Sequence, residues 1–260
     1  MAGAYIMHAQ IPPAGLLKNI FTQTASVFRK EKTLRQSELP LSLWKEVRRQ
    51  EKGVTVYDPD LALAGYTLVT NGKFSGAWLL DMNGAVVHQW VVPFRKAFPS
   101  PSHVKNPAPE EGIFWRSAWL FPNGDVIGVY EAGADTLYGY GMVKVDKDSN
   151  VIWRMAERVH HGVWVDEDGK VYALGQKYMK ERFINDFIII ASPDGKELAR
   201  ISIWEAMGRS EYMSELYRLK MGYMHEGDVF HANSIRVIGE DLDGTTPFLR
   251  KGRIMVSSCM

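Results

Sequence analysis

The stretch Val159-His-His-Gly-Val-Trp-Val-Asp-Glu-Asp-Gly-Lys-Val-Tyr-Ala-Leu174 decides the fold. Apolar and polar residues alternate into Val163-Trp-Val165, and a second apolar run follows at Val171-Tyr-Ala-Leu174. Asp166-Glu-Asp-Gly169 between them carries hairpin turn chemistry, so two β-strands joined by a tight turn are predicted. His160 and His161 stand where the first strand begins. Histidine is the side chain whose ordinary pKa lies nearest neutrality, which makes the pair a candidate for proton transfer or nucleophilic work. The plainer reading is a hydrogen-bonded edge pair.

The same construction recurs outward from this hairpin. Strands are predicted at Gly65–Thr70, Gly76–Asp81 and Ala85–Trp90, with Asp81-Met-Asn-Gly84 joining the last two. Ser117–Phe121 and Val126–Tyr130 flank Pro122-Asn-Gly-Asp125, and Gly141–Val145 and Val151–Trp153 flank Asp146-Lys-Asp-Ser-Asn150. Beyond the opening hairpin, Phe187–Ala191 and Glu197–Ile201 surround Ser192-Pro-Asp-Gly195, and Ser234–Ile238 and Arg253–Ser257 surround a longer loop through Asp243-Gly244. Two such hairpins make a four-stranded antiparallel unit, repeated about every 45 to 70 residues, which is the signature of an all-β propeller built from four-stranded blades. A Greek-key sandwich is the structural alternative. From residue 53 the chain supplies about three units, against the four to eight blades that closure requires. The expectation is therefore an incomplete propeller, an N-terminal fragment of a larger one.

Residues 14 to 53 differ in kind. Leu16, Leu17, Ile20, Phe21, Val27 and Phe28 recur at helical spacing, and Leu43, Trp44 and Val47 mark a second short helix. The expected organisation is a helical N-terminal arm over 1–52 and a partial propeller domain over 53–260. The Pro-rich segment Pro93–Pro109 is predicted to be a long surface loop, and Ser202–Asp228 an insertion with helical pieces.

Composition narrows the function classes. The chain has 260 residues and a net charge of +1 without a long basic run, so nucleic-acid binding gets no support. Its single cysteine, Cys259, rules out an intrachain disulfide and a thiolate metal site. No window of 18 or more apolar residues suggests a spanning helix. Residues 1 to 7 are apolar but too short for a signal peptide.

Superimposing the hairpins at 116–130, 161–174 and 231–257 by their apolar strands places Arg116 four residues before Leu120, His161 four before Val165 and His231 four before Ile235. In a propeller these positions converge at the mouth of a central channel. Arginine offers a planar charged fork for an oxyanion, and histidine can act as nucleophile or acid/base. His161 and His231 are the catalytic candidates; Arg116, Asn233 and His160 are the substrate-binding ones. His160, one step back, is expected to point away from the channel and to serve more as support. Channel-lining polar residues that merely hold water are the alternative. No carboxylate occupies the equivalent position of the three hairpins, so neither a metal nor another cofactor is expected. Nucleotide-cradling glycine loops and the Gly-x-Ser-x-Gly elbow are absent from the sequence.

At these residues the chain resembles the arylsulfotransferase (arylsulfate sulfotransferase) family of bacterial propeller enzymes. The matching segments are Gly53-Val-Thr-Val-Tyr-Asp-Pro59, Ala64-Gly-Tyr-Thr-Leu68, Ala77-Trp-Leu-Leu-Asp-Met-Asn-Gly-Ala-Val-Val-His-Gln-Trp90, the His160-His161 hairpin, Asp186-Phe-Ile-Ile-Ile-Ala-Ser-Pro-Asp-Gly195 and Asp228-Val-Phe-His-Ala-Asn-Ser-Ile235. The resemblance implies a six-bladed propeller that moves a sulfuryl group from an aryl sulfate to a phenol through a sulfated histidine, without a nucleotide donor. His161 and His231 would then be sulfate-binding or acid/base residues. The family's sulfated histidine would lie beyond Met260, and Cys259 stands where a sulfate-binding arginine is expected, so the chain alone is expected to be inactive. Trp119, Trp153, Trp164 and Trp204 are candidates for a phenol platform or, as plainly, for packing. The resemblance also implies a periplasmic or membrane-anchored exported protein, and it leaves open an anchor ahead of residue 1 and a homodimer. The reading from another class is a non-catalytic propeller that binds a ligand or a protein.

Overall fold

A single turn chemistry is repeated five times and sets the frame. In the computed structural model, residue X of each turn accepts a backbone bond from X+3 and donates one to the carbonyl of X+4, with X being Asp81, Phe121, Asp146, Asp166 and Ser192. Where X is aspartate, its Oδ1 also takes the N–H groups of X+2 and X+4 at 2.8–3.0 Å. The X+3 residues Gly84, Gly124, Gly169 and Gly195 all have positive φ, where glycine carries no steric penalty. Ser149 fills that position in the remaining turn at φ 63°.

The structure describes residues 50–51, 53–132, 137–179, 184–211, 228 and 230–258. The helical arm expected over 1–52 lies outside the described residues except at 50–51, as do Cys259 and most of the insertion after residue 211. The described residues are mostly β. β1 (Thr67–Thr70), β2 (Gly76–Leu80) and β3 (Val86–Val91) form a three-stranded sheet. β4 (Ile113–Leu120), β5 (Val126–Ala132), β6 (Gly139–Val145) and β7 (Val151–Met155) form a four-stranded antiparallel sheet in chain order. β8 (Val159–Val165), β9 (Val171–Tyr178), β10 (Ile184–Ala191) and β11 (Glu197–Ser202) repeat it, and β12 (Ala232–Val237) pairs with β13 (Ile254–Ser258). Every predicted strand is present, and β4 and β8 begin earlier than the alternation suggests. Each continues through an irregularity, because a bulge breaks the two-residue period without ending the ladder.

The first strands β4 and β8 approach each other, as do β8 and β12. Between the sheets lie two larger apolar clusters, one around Trp90, Trp115, Tyr130 and Tyr140, the other around Ile127, Met142, Val165 and Ile189. The segment Pro93–Pro109 departs from the surface loop expected of it. Phe94, Ala97, Phe98, Val104 and Ala108 are buried, with a short helix α1 at Phe94–Ala97. Its prolines prevent regular structure, but its aromatic rings pack edge-on against Tyr130 and Tyr140. Its backbone donors find side-chain acceptors: the Glu110 carboxylate takes the N–H groups of Phe94 and Arg95, and the Tyr140 hydroxyl takes that of Ala108. An irregular segment can enter a core when its polar groups are satisfied in this way.

Of the insertion after β11, the structure describes helix α2 (Ile203–Gly208), capped by Ser202 Oγ on the Glu205 N–H at 3.1 Å. No helix among the described residues is long and apolar enough to cross a membrane.

Candidate functional site

Arg116, His161 and Asn233 share one structural position. The ladders close at Leu120 with Val126, Val165 with Val171, and Val237 with Ile254. Four residues before each of those ends the register shifts, between Trp115 and Ser117, between His160 and Val163, and between Ala232 and Ser234. The bulged residues are therefore Arg116, His161 with Gly162, and Asn233. The sequence alignment put His231 there, two residues too early. Side chains alternate with a period of two, so a two-residue slip leaves the apolar pattern intact and the sequence cannot detect it.

His231 nevertheless reaches the same place. Its ring lies 5.1 Å from that of His161, centroid to centroid, and Tyr138 stands within 5.3–5.6 Å of the rings of His160, His161 and His231. Both His161 and His231 have left-handed backbone, at φ 49° and 44°. Consecutive residues of a regular strand face opposite sides. The left-handed turn at His161 instead brings its ring back toward that of His160, with the two Nδ1 atoms 3.0 Å apart. Gly162 makes this bend compatible with the neighbouring strand. A Cβ there would stand 3.2 Å from the backbone of Ser234 and Ile235.

Carboxylates surround the three rings. Glu131, in the otherwise apolar β5, accepts the His161 N–H at 2.6 Å, and its Oε1 lies 3.2 Å from His161 Nδ1. Its other oxygen faces Arg116 Nε at 3.8 Å. Asp186 of β10 accepts the Ala232 N–H at 2.8 Å and points its second oxygen at His160 Nε2, 3.4 Å away. Asp228 accepts the backbone N–H of His231 at 3.0 Å and sits 2.7 Å from His231 Nδ1. The Tyr138 hydroxyl donates to the same Asp228 oxygen at 3.1 Å. Tyr138 is itself held by Arg158, whose guanidinium binds the carbonyls of Leu137 and Gly139 on either side of it.

Electrostatics follow from this burial. His161 is driven down to about 3 by desolvation first, then by the neighbouring His160, Arg116 and His231, so its ring is neutral at ordinary pH. Burial pushes the Glu131 carboxyl up, against the opposing His161 N–H and Arg116. At Asp228 burial also acts upward, but hydrogen bonding and charge from His231, with help from Tyr138, outweigh it and the net shift is down. Burial raises Tyr138 as well, reinforced by Asp228 and Asp186, so its hydroxyl stays protonated and acts as a donor.

Of the residues singled out from sequence, the structure gathers His160, His161 and His231 and puts Arg116 beside Glu131. Arg116 is half-exposed, whereas His160 is fully buried behind His161. Asn233 occupies its bulge with an exposed side chain. Trp119 and Trp164 meet edge to face at 5.0 Å, Trp153 bonds the Pro193 carbonyl, and Trp204 stands 6.0 Å from Phe230. Sequence reasoning missed Glu131, Tyr138, Asp186 and Asp228. A signal existed for two of them, since Glu131 and Asp186 are lone carboxylates inside apolar strands. A surface cleft lined by Leu79, His88, Trp90 and Leu120 among others is separate from this cluster.

No protein-family model matches the chain, and no curated protein matches it.

Proposed function

We propose that the two four-stranded meanders are blades of a propeller, and that the histidine cluster is a group-transfer site for a sulfuryl group, of the arylsulfotransferase kind. The observation that carries this reading is the Asp228–His231 pair set against the neutral ring of His161. A carboxylate 2.7 Å from Nδ1 is satisfied when that nitrogen bears the proton, which makes Nε2 the basic nitrogen of His231. His231 then serves as acid and base. Its Nε2 takes the proton of the acceptor phenol as the new S–O bond forms, and passes it to the departing aryl oxygen as the S–O bond to the donor breaks. Arg116, half-exposed beside the cluster, binds the sulfate oxygens, and His161 lines the transfer path. His160 acts from behind by fixing the ring of His161.

The test is transfer from 4-nitrophenyl sulfate to phenol, followed by release of the coloured nitrophenolate. Asp228→Asn, which keeps the shape but not the charge, is expected to lower turnover by about 10²–10⁴-fold, the usual range for a disabled acid–base pair. Turnover indifferent to Asp228→Asn, His161→Ala and His231→Ala together would remove the site from the reaction. A folded protein with no turnover at all favours a binding role for the same fold.

A further inference from the structure

An aryl sulfate carries negative charge into a cluster that already holds three carboxylates, Glu131, Asp186 and Asp228, against the single guanidinium of Arg116. The interior of this cluster has a second peculiarity. Two imidazole Nδ1 atoms face each other at 3.0 Å, and the Glu131 Oε1 stands 3.2 Å from the one on His161. A shared proton can join one pair of these atoms as an N–H···N or N–H···O hydrogen bond, whereas a cation would draw on both nitrogens and the carboxylate oxygen at once.

We propose that His160, His161 and Glu131 form a binding site for a divalent transition-metal ion, with both histidines ligating through Nδ1. One donor atom from each of the three residues lies within 4.8 Å of the others. With metal–ligand bonds of about 2.0–2.1 Å, neighbouring donors around a metal lie about 3.0–3.4 Å apart, which matches both separations in the cluster. Two histidines and one carboxylate are a donor set that zinc and ferrous iron accept, and they leave positions for an exogenous oxygen. The set arises from a backbone device. Adjacent histidines cannot both ligate from a regular strand, and the left-handed φ of His161 turns its ring to the same side as that of His160.

The outer surroundings also fit. His160 is fully buried, and its Nε2 has no hydrogen-bond partner in the described structure, nor does Asp186 Oδ1 3.4 Å away. A metal on Nδ1 places the ring proton on Nε2, directed at that carboxylate, which is the histidine–carboxylate arrangement that orients metal ligands elsewhere. His231 and Tyr138 line the open side. A divalent cation here offsets the surplus of carboxylate charge and gives a sulfate, or any other oxyanion, a positive centre. The metal site does not depend on which group is transferred.

The test reads the metal directly. Protein freed of metal with a chelator is titrated with Zn²⁺ by calorimetry and with Co²⁺ by visible absorption, which reports nitrogen and oxygen ligation. One ion per chain is expected, with a rise in Tm on loading. Glu131→Gln, which keeps an acceptor for the His161 N–H, is expected to weaken binding at least tenfold. Asp186→Asn, acting through His160, should weaken it about 10–100-fold without changing the stoichiometry. His161→Ala should abolish it, with His161→Gln as the replacement if the alanine variant does not fold. Absence of saturable binding in the wild type overturns the proposal, and so does equal affinity in Glu131→Gln and the folded His161 variant. Because the readout is binding, a failure here leaves the sulfuryl-transfer assay unaffected, and the reverse also holds.

Discussion

The bulge of β4 and the bulge of β8 have the same position and the same distance from the hairpin turn, yet β4 bulges by one residue and β8 by two with a left-handed His161, and they carry different loads. Just before the bulge, β4 places Trp115 and β8 places His160, both fully buried. Trp115 spends its position on packing: its indole covers Gly128, where an added Cβ would lie 2.3 Å from the ring. His160 spends it on polar contact with His161 and Asp186. At the bulge itself, Arg116 turns a permanent charge toward solvent, whereas His161 is folded inward beside Glu131. The difference teaches that the backbone device is structural and that chemistry is written onto it by two residues.

If that division is right, breaking the packing member has the largest effect. Trp115→Ala is expected to destabilise the protein by about 3–5 kcal/mol, the usual cost of removing a buried large aromatic residue. Urea denaturation measures it. A loss under about 1 kcal/mol would mean that Trp115 is not the keystone of its sheet.

The next effect tests the bend in β8. Gly162→Ala sets a Cβ 3.2 Å from the backbone of Ser234 and Ile235. Backbone gives way less readily than a side-chain tip, so a loss of about 1–3 kcal/mol is expected. The same variant should displace His161 relative to His160 and Glu131, seen as weakened Co²⁺ absorption, and relative to His231, seen as slower transfer. An equally stable variant with unchanged chemistry would show that the strands adjust freely.

A third effect is on pH dependence. Arg116 is half-exposed, whereas His161 is buried beside Glu131. The folded-state pKa of His161 lies near 3, below the ordinary value of 6.5, so the fold favours the neutral ring. The stability it contributes is complete above 6.5 and is lost as pH falls toward 3. Glu131 acts oppositely, because burial raises its pKa and the folded state takes up its proton earlier than the unfolded chain does. Asp228, whose pKa is lowered, adds to the acid loss. His161→Asn should therefore flatten the acid limb of the stability curve, whereas Arg116→Gln, which removes only one of the charges acting on His161, should change it less. An identical acid limb in both variants would contradict the contrast.

Much of this fold is legible in the sequence because turns are local. Asp-x-x-Gly-x and its relatives fix five hairpins through bonds within five residues, and the strands follow from them. What depends on distant partners is not legible. The Pro93–Pro109 segment reads as a loop from its prolines, but Phe94 and Phe98 are drawn into the core by Tyr130 and Tyr140, more than thirty residues downstream. His160 and His161 stand out as a pair, whereas their inward convergence depends on a φ value that no residue type dictates. Glu131 and Asp186 announce themselves only as charges in apolar strands. Which backbone they bind is a property of neighbouring sheets.

Those two carboxylates have a mechanical consequence. Glu131 of one sheet holds the His161 N–H of the next, and Asp186 holds the Ala232 N–H of the sheet after that. Hydroxyls run the same way, from Thr70 to the Arg116 carbonyl at 3.3 Å and from Ser117 to that of His161. The seams between sheets are thus stitched by the groups that line the histidine cluster. A local opening that frees the amide of His161 for exchange with solvent must also undo Glu131, so the centre and its scaffold breathe as one unit.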